Sequence, residues 1–238
     1  MIQWTRPRQN SVFAMLPQAR QPEPMPQRDL NAKSNTALLV ARDALSNLVD
    51  FIDSRAHMAF LAIRDCEREL DVLEAEVDNQ LPEALVRVSE ARAREYLAAL
   101  RFATELERVT DLAVWIAERI RSAYPPSGDK FAIEHFSGVS KLLERMIVRA
   151  SESFSAADPD MARSVIMMDR EIDAYRNGLF QRLLNKSSRS TVRDRVEVLL
   201  IAQAFERIGD HITNVAEEII RLVGGRSVRH SRKKTSVD

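Results

Sequence analysis

Hydrophobic residues recur at spacings of three and four along most of the chain, the period of an amphipathic helix. The first stretch of this kind contains Leu38, Leu39, Ala41, Leu45, Leu48, Val49 and Ile52. Five further segments with the same period are predicted at about residues 57–80, 89–123, 131–154, 160–184 and 191–223. Six long helices without an alternating, strand-like segment predict an all-α fold.

Breaks in the helical pattern divide the chain into two sets of three helices. The Pro-Pro-Ser-Gly-Asp run at 125–129 cannot continue a helix, so it forms the main internal boundary. The predicted organisation is a Pro- and Gln-rich disordered arm at 1–30, a three-helix unit at 31–124, a hinge at 125–130, a second three-helix unit at 131–225 and a basic tail at 226–238.

Composition narrows the class of protein. The 238 residues are 45% hydrophobic and 6% aromatic, with six Gly and nine Pro, which excludes a disordered chain and disfavours an all-β fold. One cysteine, Cys66, excludes a disulfide framework and a Cys-rich metal site. Apolar runs fall short of the roughly 20 residues that span a bilayer. We therefore expect a cytoplasmic protein, peripheral to the membrane at most through its basic tail.

The two three-helix units are predicted to be a tandem duplication. The segment Glu107–Asp111, ERVTD, matches Glu206–Asp210, ERIGD, at an offset of 99 residues. Upstream, ERELD at 67–71 aligns with DREID at 169–173 at an offset of 102. The small difference between the offsets is absorbed by the intervening turns.

Each repeat carries two pairs of acids four residues apart. The pairs are Glu67 and Asp71, Glu107 and Asp111, Asp169 and Asp173, and Glu206 and Asp210. Residues at this spacing lie on one helix face, where like charges repel. The midpoints of the two hairpins, Ser89 and Arg189, place the pairs of each repeat at one level on adjacent helices. Two basins of four carboxylates are oxygen-rich sites suited to a hard cation such as Mg, Mn, Fe or Zn.

A simpler interpretation of the same acids is a set of surface salt bridges. Each acidic pentapeptide contains a basic residue, namely Arg68, Arg108, Arg170 and Arg207. Such exposed pairs contribute about 0–1 kcal/mol each, so they would account for the acids without any metal. Both interpretations remain open from the sequence.

The residues around the acid pairs resemble a known family. The segment FERIGDHITNVAE at 205–217, with ELERVTDLAVWIAE at 105–118 as a fainter partner, closely resembles the signature of the PhoU family of phosphate-signalling regulators. Arg193 and Arg94 match the basic residue that precedes this signature. The fuller signature lies in the second repeat, since the first has Leu112 and Trp115 in place of His211 and Asn214.

The resemblance implies a fold, a cofactor and a set of partners. It implies two three-helix bundles related by pseudo-symmetry, whose eight acids bind multinuclear iron or zinc clusters, with magnesium or manganese as alternatives. Arg94, Arg193, His211 and Asn214 would support these clusters. It further implies negative regulation of phosphate uptake and of the phosphate-starvation response, through contact with the phosphate transporter's ATPase subunit and a sensor histidine kinase.

Other functional classes have weaker support in the sequence. The chain has no Gly-rich phosphate loop and no nucleophile motif, so no catalytic or organic-cofactor residue is assigned and a non-enzymatic role is expected. A metalloenzyme with a carboxylate-bridged cluster is the alternative, although the Glu-x-x-His motif of di-iron bundles is missing. A nucleic-acid binder lacks a recognisable reading module. A homodimer formed through apolar helix faces is left open.

Overall fold

The computed structural model describes residues 27–123, 130–185 and 191–224, and these ranges fold into six α-helices. The helices are α1 (Gln27–Ser54), α2 (His57–Ala84), α3 (Glu90–Ala123), α4 (Lys130–Ala156), α5 (Pro159–Asn185) and α6 (Val192–Gly224). A short 3-10 turn, Leu85–Arg87, follows α2. The described residues contain no strand, and the predicted all-α class is confirmed.

Helix starts coincide with side chains that cap the free N–H groups of a first turn. Ser89 Oγ accepts a hydrogen bond of 3.3 Å from the backbone N–H three residues ahead, at the start of α3. Asp158 Oδ1 accepts one of 2.8 Å from Asp160 N at the start of α5. At α6, Thr191 and Asp194 cap one another, each side chain accepting from the other's backbone N–H. These caps confirm the predicted breaks before α3, α5 and α6.

The first helix of each repeat ends on a residue in the left-handed conformation. Arg55 has φ 60° and Ala157 has φ 51°. The two residues are 102 apart, the same offset that aligns the acid pairs of α2 and α5. Neither residue is glycine, so each C-terminus adopts this conformation at a cost of about 1–2 kcal/mol. The duplication is therefore visible in backbone geometry as well as in sequence.

Helix α2 extends past its predicted end. We expected it to stop near residue 80, before Pro82, but it continues to Ala84 with Pro82 in its last turn. Proline lacks a backbone N–H and crowds the preceding turn, so a helix that includes it gains few further residues. Here the chain leaves the helix two residues later.

The helices pack as one body with equivalent helices of the two repeats in contact. Helix α1 lies against α4 and α3 lies against α6, while α2 flanks α1 and α3, and α5 flanks α4 and α6. A hydrophobic cluster continues through both repeats. Within it Phe102 of α3 meets Phe154 of α4 edge to face, with ring centroids 5.3 Å apart. The two repeats thus share a core.

Ion pairs also join the repeats. Glu218 of α6, which is 5% exposed, lies between Arg101 of α3, at 3.0 Å, and Arg221 of its own helix, at 2.5 Å. Arg119 Nη1 of α3 lies 2.6 Å from Glu197 Oε2 of α6. A buried carboxylate needs such partners because desolvation penalises its charge. The α3–α6 contact is therefore both apolar and ionic.

Parts of the predicted organisation lie outside the described residues. These are the arm at 1–26, the hinge at 125–129 and the basic tail at 226–238. Helix α1 begins at Gln27, so the last four residues assigned to the arm are helical, and Leu30 is buried. None of the described helices carries an apolar stretch long enough to cross a membrane.

The shared core predicts a large effect of Phe102→Ala, because this ring is 1% exposed and touches both repeats. We expect a loss of about 3–5 kcal/mol in the free energy of unfolding, measured by urea denaturation followed by circular dichroism. The matched control is Phe180→Ala on α5, whose ring is 46% exposed and whose removal should cost far less. Equal losses in the two variants would contradict a core at Phe102.

Candidate functional site

The structure brings the four predicted acids of the first repeat together where α2 packs on α3. Burial raises the pKa of Glu67, and the charges of Asp71 and Asp111 raise it further. The charge of Asp111 also raises the pKa of Glu107. Carboxylates from both helices therefore interact across the hairpin, as the predicted register requires. We call Glu67, Asp71, Glu74, Glu107 and Asp111 the first acidic patch.

Glu107 is the most buried acid of this patch. It is 8% exposed, and its Oε2 atom is buried without a hydrogen-bond partner among the described residues. Arg108 Nε lies 3.3 Å from this oxygen. Burial raises the pKa of Glu107 to about 7, with further increases from Asp111 and Glu74 that exceed what Arg108 offsets. The first acidic patch thus holds more negative charge than its own cations neutralise.

Glu74 is a member of this patch that the sequence analysis missed. It follows Asp71 by three residues on α2, which keeps it on the same helix face. Thr104 Oγ1 of α3 donates a hydrogen bond of 2.7 Å to Glu74 Oε1. Continuing the acid spacing by one more turn would have identified it, because i+3 and i+4 neighbours share a surface stripe.

The acids of the second repeat meet where α5 packs on α6, and an arginine lies among them. Arg176 Nη1 pairs with Glu206, and its Nη2 lies 3.6 Å from Asp173 Oδ1. The hydrogen bond with Glu206, together with the charges of Asp173 and Asp210, raises the pKa of the Arg176 guanidinium. We call Asp169, Asp173, Glu206 and Asp210 the second acidic patch.

Asp169 of α5 lies against Gly209 of α6, next to the other acids of this patch. A Cβ placed on Gly209 would lie 3.5 Å from Asp169 Oδ1 and 3.5 Å from Ile172. The bare backbone at Gly209 therefore lets α5 side chains lie directly against α6, between Glu206 and Asp210. The first repeat has the buried Thr110 here, whose Oγ1 bonds to the backbone carbonyl of Glu107 at 2.9 Å.

The two patches differ in how well they fit a hard cation. The first offers five carboxylates, among them Glu107, whose Oε2 is buried without a hydrogen bond and whose pKa is raised. A divalent ion bound there would reduce the repulsion between these carboxylates. The second already contains the Arg176 guanidinium. As the side chains stand, no three His, Cys, Asp or Glu residues in the described part of the chain are arranged to hold a metal. This holds for the side chains of both patches.

His211 and Asn214 do not support the second acidic patch. His211 Nδ1 lies 2.8 Å from Glu105 Oε2, and Asn214 Nδ2 donates to the same oxygen at 2.9 Å. Glu105 belongs to α3 and to neither patch. Successive residues of an α-helix are about 100° apart around its axis. His211 and Asn214 therefore lie on the side of α6 that faces α3, whereas Glu206 and Asp210 lie toward α5. Their observed role is to join the two repeats.

Arg94 and Arg193 also lie away from the acids. Arg94 pairs with Glu90 near the start of α3. Thirteen residues separate Arg94 from Glu107, and thirteen separate Arg193 from Glu206, which is about 20 Å along a helix. A side chain cannot cover this distance, so neither arginine contacts the third-helix acids of its own helix, and the supporting role stays a prediction.

The salt-bridge interpretation holds for one of the four expected arginines. Arg108 pairs with Glu107 and Asp111, at 3.3 and 3.5 Å. Arg68 pairs with Asp65 instead, and Arg170 and Arg207 form no ion pair within the described ranges. In the second repeat Arg176, which lies outside the acidic pentapeptides, pairs with Glu206 and Asp173.

A groove of about 570 Å³ opens between α3 and α6, beside the first acidic patch. Its lining residues are Arg108, Asp111, Leu112, Val114, Trp115, Glu118, Leu200, Gln203, Ala204 and Arg207. The offset of 99 residues pairs three apolar positions of this lining with polar residues on the other side of the interface between the repeats. Leu112 corresponds to His211, Trp115 to Asn214 and Ala204 to Glu105. Contacts with Glu105 join the polar trio, whereas the apolar trio, with the small Ala204, lines the groove.

An exposed apolar stripe leads along α6 into this groove. Val192, Val196 and Leu200 follow one another at four-residue spacing and are 69%, 47% and 37% exposed. The wall at Trp115 is held in place by Arg119, whose guanidinium carbon lies 4.6 Å from the ring centroid. We call the groove and this stripe together the α3–α6 surface.

These features define a class of duplicated all-α proteins in which acid pairs lie on the second and third helices of each repeat. Residues 36–120 and 136–219 each match the family model described as the PhoU domain. The two matches cover more than half of the chain, which therefore belongs to the PhoU family.

Curated relatives and solved structures agree with this assignment. The chain is 28% identical over 200 residues to "Phosphate-specific transport system accessory protein PhoU homolog" of Xylella fastidiosa (strain Temecula1 / ATCC 700964), covering 82% of each protein. A Caulobacter vibrioides protein of the same name is 27% identical over 205 residues, covering 83% of this chain and 88% of the relative.

The fold matches that of solved PhoU proteins. The crystal structure of PhoU from Pseudomonas aeruginosa aligns with a TM-score of 0.76 at 19% identity, covering 84% of this chain and 97% of the other. The phosphate transport system regulatory protein PhoU from Streptococcus pneumoniae aligns with a TM-score of 0.75 at 17% identity, covering 85% and 97%. At these identities the likeness supports the fold alone.

The buried carboxyl of Glu107 predicts a pH-dependent stability. Because its pKa rises from 4.5 to about 7 on folding, the folded state retains a proton that the unfolded state loses, and stability falls as pH rises between these values. Glu107→Gln should remove this decline and stabilise the protein at pH 8 by about 1–3 kcal/mol. The measurement is chemical denaturation from pH 4.5 to 8 with a chelator present.

The matched control for this prediction is Glu118→Gln, an exposed acid on the same helix without an ion pair in the described ranges. It should leave the pH profile of the wild type unchanged. Parallel profiles for wild type and Glu107→Gln would contradict the raised pKa.

Proposed function

We propose that this protein is a non-enzymatic, cytoplasmic regulator of phosphate uptake and of the phosphate-starvation response. The observation that carries the proposal is the match of both repeats to the PhoU domain. The relatives' names support it, since they describe accessory proteins of the phosphate-specific transport system. In this role it represses the phosphate-starvation genes by contact with the transporter's ATPase subunit, and it signals to a sensor histidine kinase.

The α3–α6 surface is our candidate for the contact with the ATPase subunit. Its apolar stripe is exposed at helical spacing, which suits an amphipathic helix laid along the groove. Arg207 and Glu118 line the groove on opposite helices, and neither forms an ion pair within the described ranges. A partner helix carrying an acid near Arg207 and a base near Glu118 would complement both charges.

This proposal predicts the phenotype of a deletion in the native host. Removing the gene should turn on alkaline phosphatase in phosphate-rich medium, because the negative regulator is lost. Wild-type protein should restore repression, whereas Leu200→Glu should not, since a charge would replace the exposed apolar contact at the mouth of the groove. Capture of the purified ATPase subunit by each variant provides a second measurement.

The matched control is Val72→Glu, an equally drastic change at a 61% exposed position on α2. It should repress like wild type, and circular dichroism should show all variants folded. Full repression by Leu200→Glu would reject the α3–α6 surface, and unchanged phosphatase in the deletion strain would reject the regulatory role.

We further propose that the first acidic patch binds a hard divalent cation, iron or zinc by family resemblance, with magnesium or manganese as alternatives. Glu67, Asp71, Glu74, Glu107 and Asp111 would hold it after local rotation of their side chains. The bound ion would neutralise the excess charge around Glu107. Metal analysis of protein purified without chelator should show an ion that the double variant Glu107→Gln, Asp111→Asn lacks, and equal metal content in both would reject this site.

A further inference from the structure

The two repeats differ in charge at one position of the acidic helices. At the offset of 102 residues that aligns Glu67 and Asp71 with Asp169 and Asp173, Glu74 aligns with Arg176. Glu74 adds a carboxylate to the first acidic patch, whereas Arg176 brings a cation into the second. The duplicated helices α2 and α5 therefore present opposite charges to equivalent surroundings.

Arg176 contacts the acids in the manner of a shared counterion. Its guanidinium pairs with Glu206 of α6 and lies 3.6 Å from Asp173 of its own helix, and the charge of Asp210 acts on it as well. A guanidinium stays protonated at any physiological pH and offers five donors in a planar fork, so it can serve several carboxylates at once. It crosses from α5 to α6 as a bridging cation would.

We infer that Arg176 is a built-in counterion that takes the place of a metal ion in the second acidic patch. Glu206 Oε1 is occupied by the guanidinium, so a metal needing this oxygen has to displace Arg176 first. In this chain, cation binding is accordingly asymmetric, with the second repeat closed to metal while Arg176 is present. The inference depends on the contacts of Arg176 and is independent of the proposed role in phosphate regulation.

The test is to remove the arginine and measure metal uptake. Wild type, Arg176→Gln and Arg176→Glu are stripped with chelator and titrated with Mn²⁺, and free Mn²⁺ is followed by electron paramagnetic resonance. Both variants should bind one more Mn²⁺ per chain than wild type. Arg176→Glu recreates the charge of the first repeat. The extra ion should disappear when Glu206→Gln is added to Arg176→Gln.

The matched control is Arg163→Gln, which removes an arginine paired with an acid, Asp160, near the start of the same helix. It should bind as many Mn²⁺ ions as wild type. An unchanged Mn²⁺ count in both Arg176 variants would overturn the inference, and so would two bound ions in wild type, one of them lost in Glu206→Gln.

Thermal denaturation gives a readout that does not depend on counting ions. In chelator at low salt, Arg176→Gln should melt about 2–4 °C below Arg163→Gln, because carboxylates on adjacent helices lose their common cation. Added Mn²⁺ should raise the melting temperature of Arg176→Gln to that of Arg163→Gln. Equal melting temperatures of these two variants in chelator would overturn the counterion role.

Mn²⁺ binding to the first acidic patch is measured separately with the variant Glu107→Gln. If wild type binds no Mn²⁺ while Arg176→Gln binds one, the proposed metal site of the first repeat fails and the inference about Arg176 stands. If wild type binds one ion that Glu107→Gln loses and the Arg176 variants gain none, the opposite holds.

Discussion

The packing of α3 against α6 is the contact on which the rest of the structure depends. These helices carry the third-helix acid pairs of both repeats, and each turns one side toward the other and another side toward its flanking helix. The first side contains the ion pair of the buried Glu218 with Arg101, and the contacts of His211 and Asn214 with Glu105. Because the inner side is fixed in this way, the acid pairs lie beside α2 and α5, and Asp111 also borders the groove between α3 and α6.

Both repeats must place like charges side by side, and they solve this problem differently. In the first repeat burial raises the pKa of Glu107 to about 7, so a retained proton lowers the repulsion that Arg108 does not offset. In the second repeat Arg176 pairs with Glu206 and lies 3.6 Å from Asp173, so a guanidinium offsets the charge of these acids. Duplication thus preserved the acid pairs while the means of neutralising them diverged. Family membership alone therefore does not say how either patch is neutralised.

Pseudo-symmetry is also broken at the interface between the repeats, with a consequence for the surface. The Glu105, His211 and Asn214 contacts close one side of the α3–α6 packing. On the other side Ala204 leaves the space in front of Leu112 and Trp115 open. The small Ala204, where the other repeat has Glu105, therefore lies in a groove next to an exposed apolar stripe. The two sides of the interface thus differ, since one is joined by hydrogen bonds and the other is a candidate docking surface.

The sequence by itself determined the six helices, the breaks between them, the duplication and the expectation that acid pairs lie at one level across each hairpin. These are local or periodic properties, since capping and helical spacing depend on residues within a few positions. Only the tertiary structure decided that Arg176 enters the second patch, that His211 bonds Glu105, and that Arg94 lies about 20 Å from the acids along its helix. Those outcomes depend on which helix faces which and on how far a side chain reaches, and the packing of distant segments sets both.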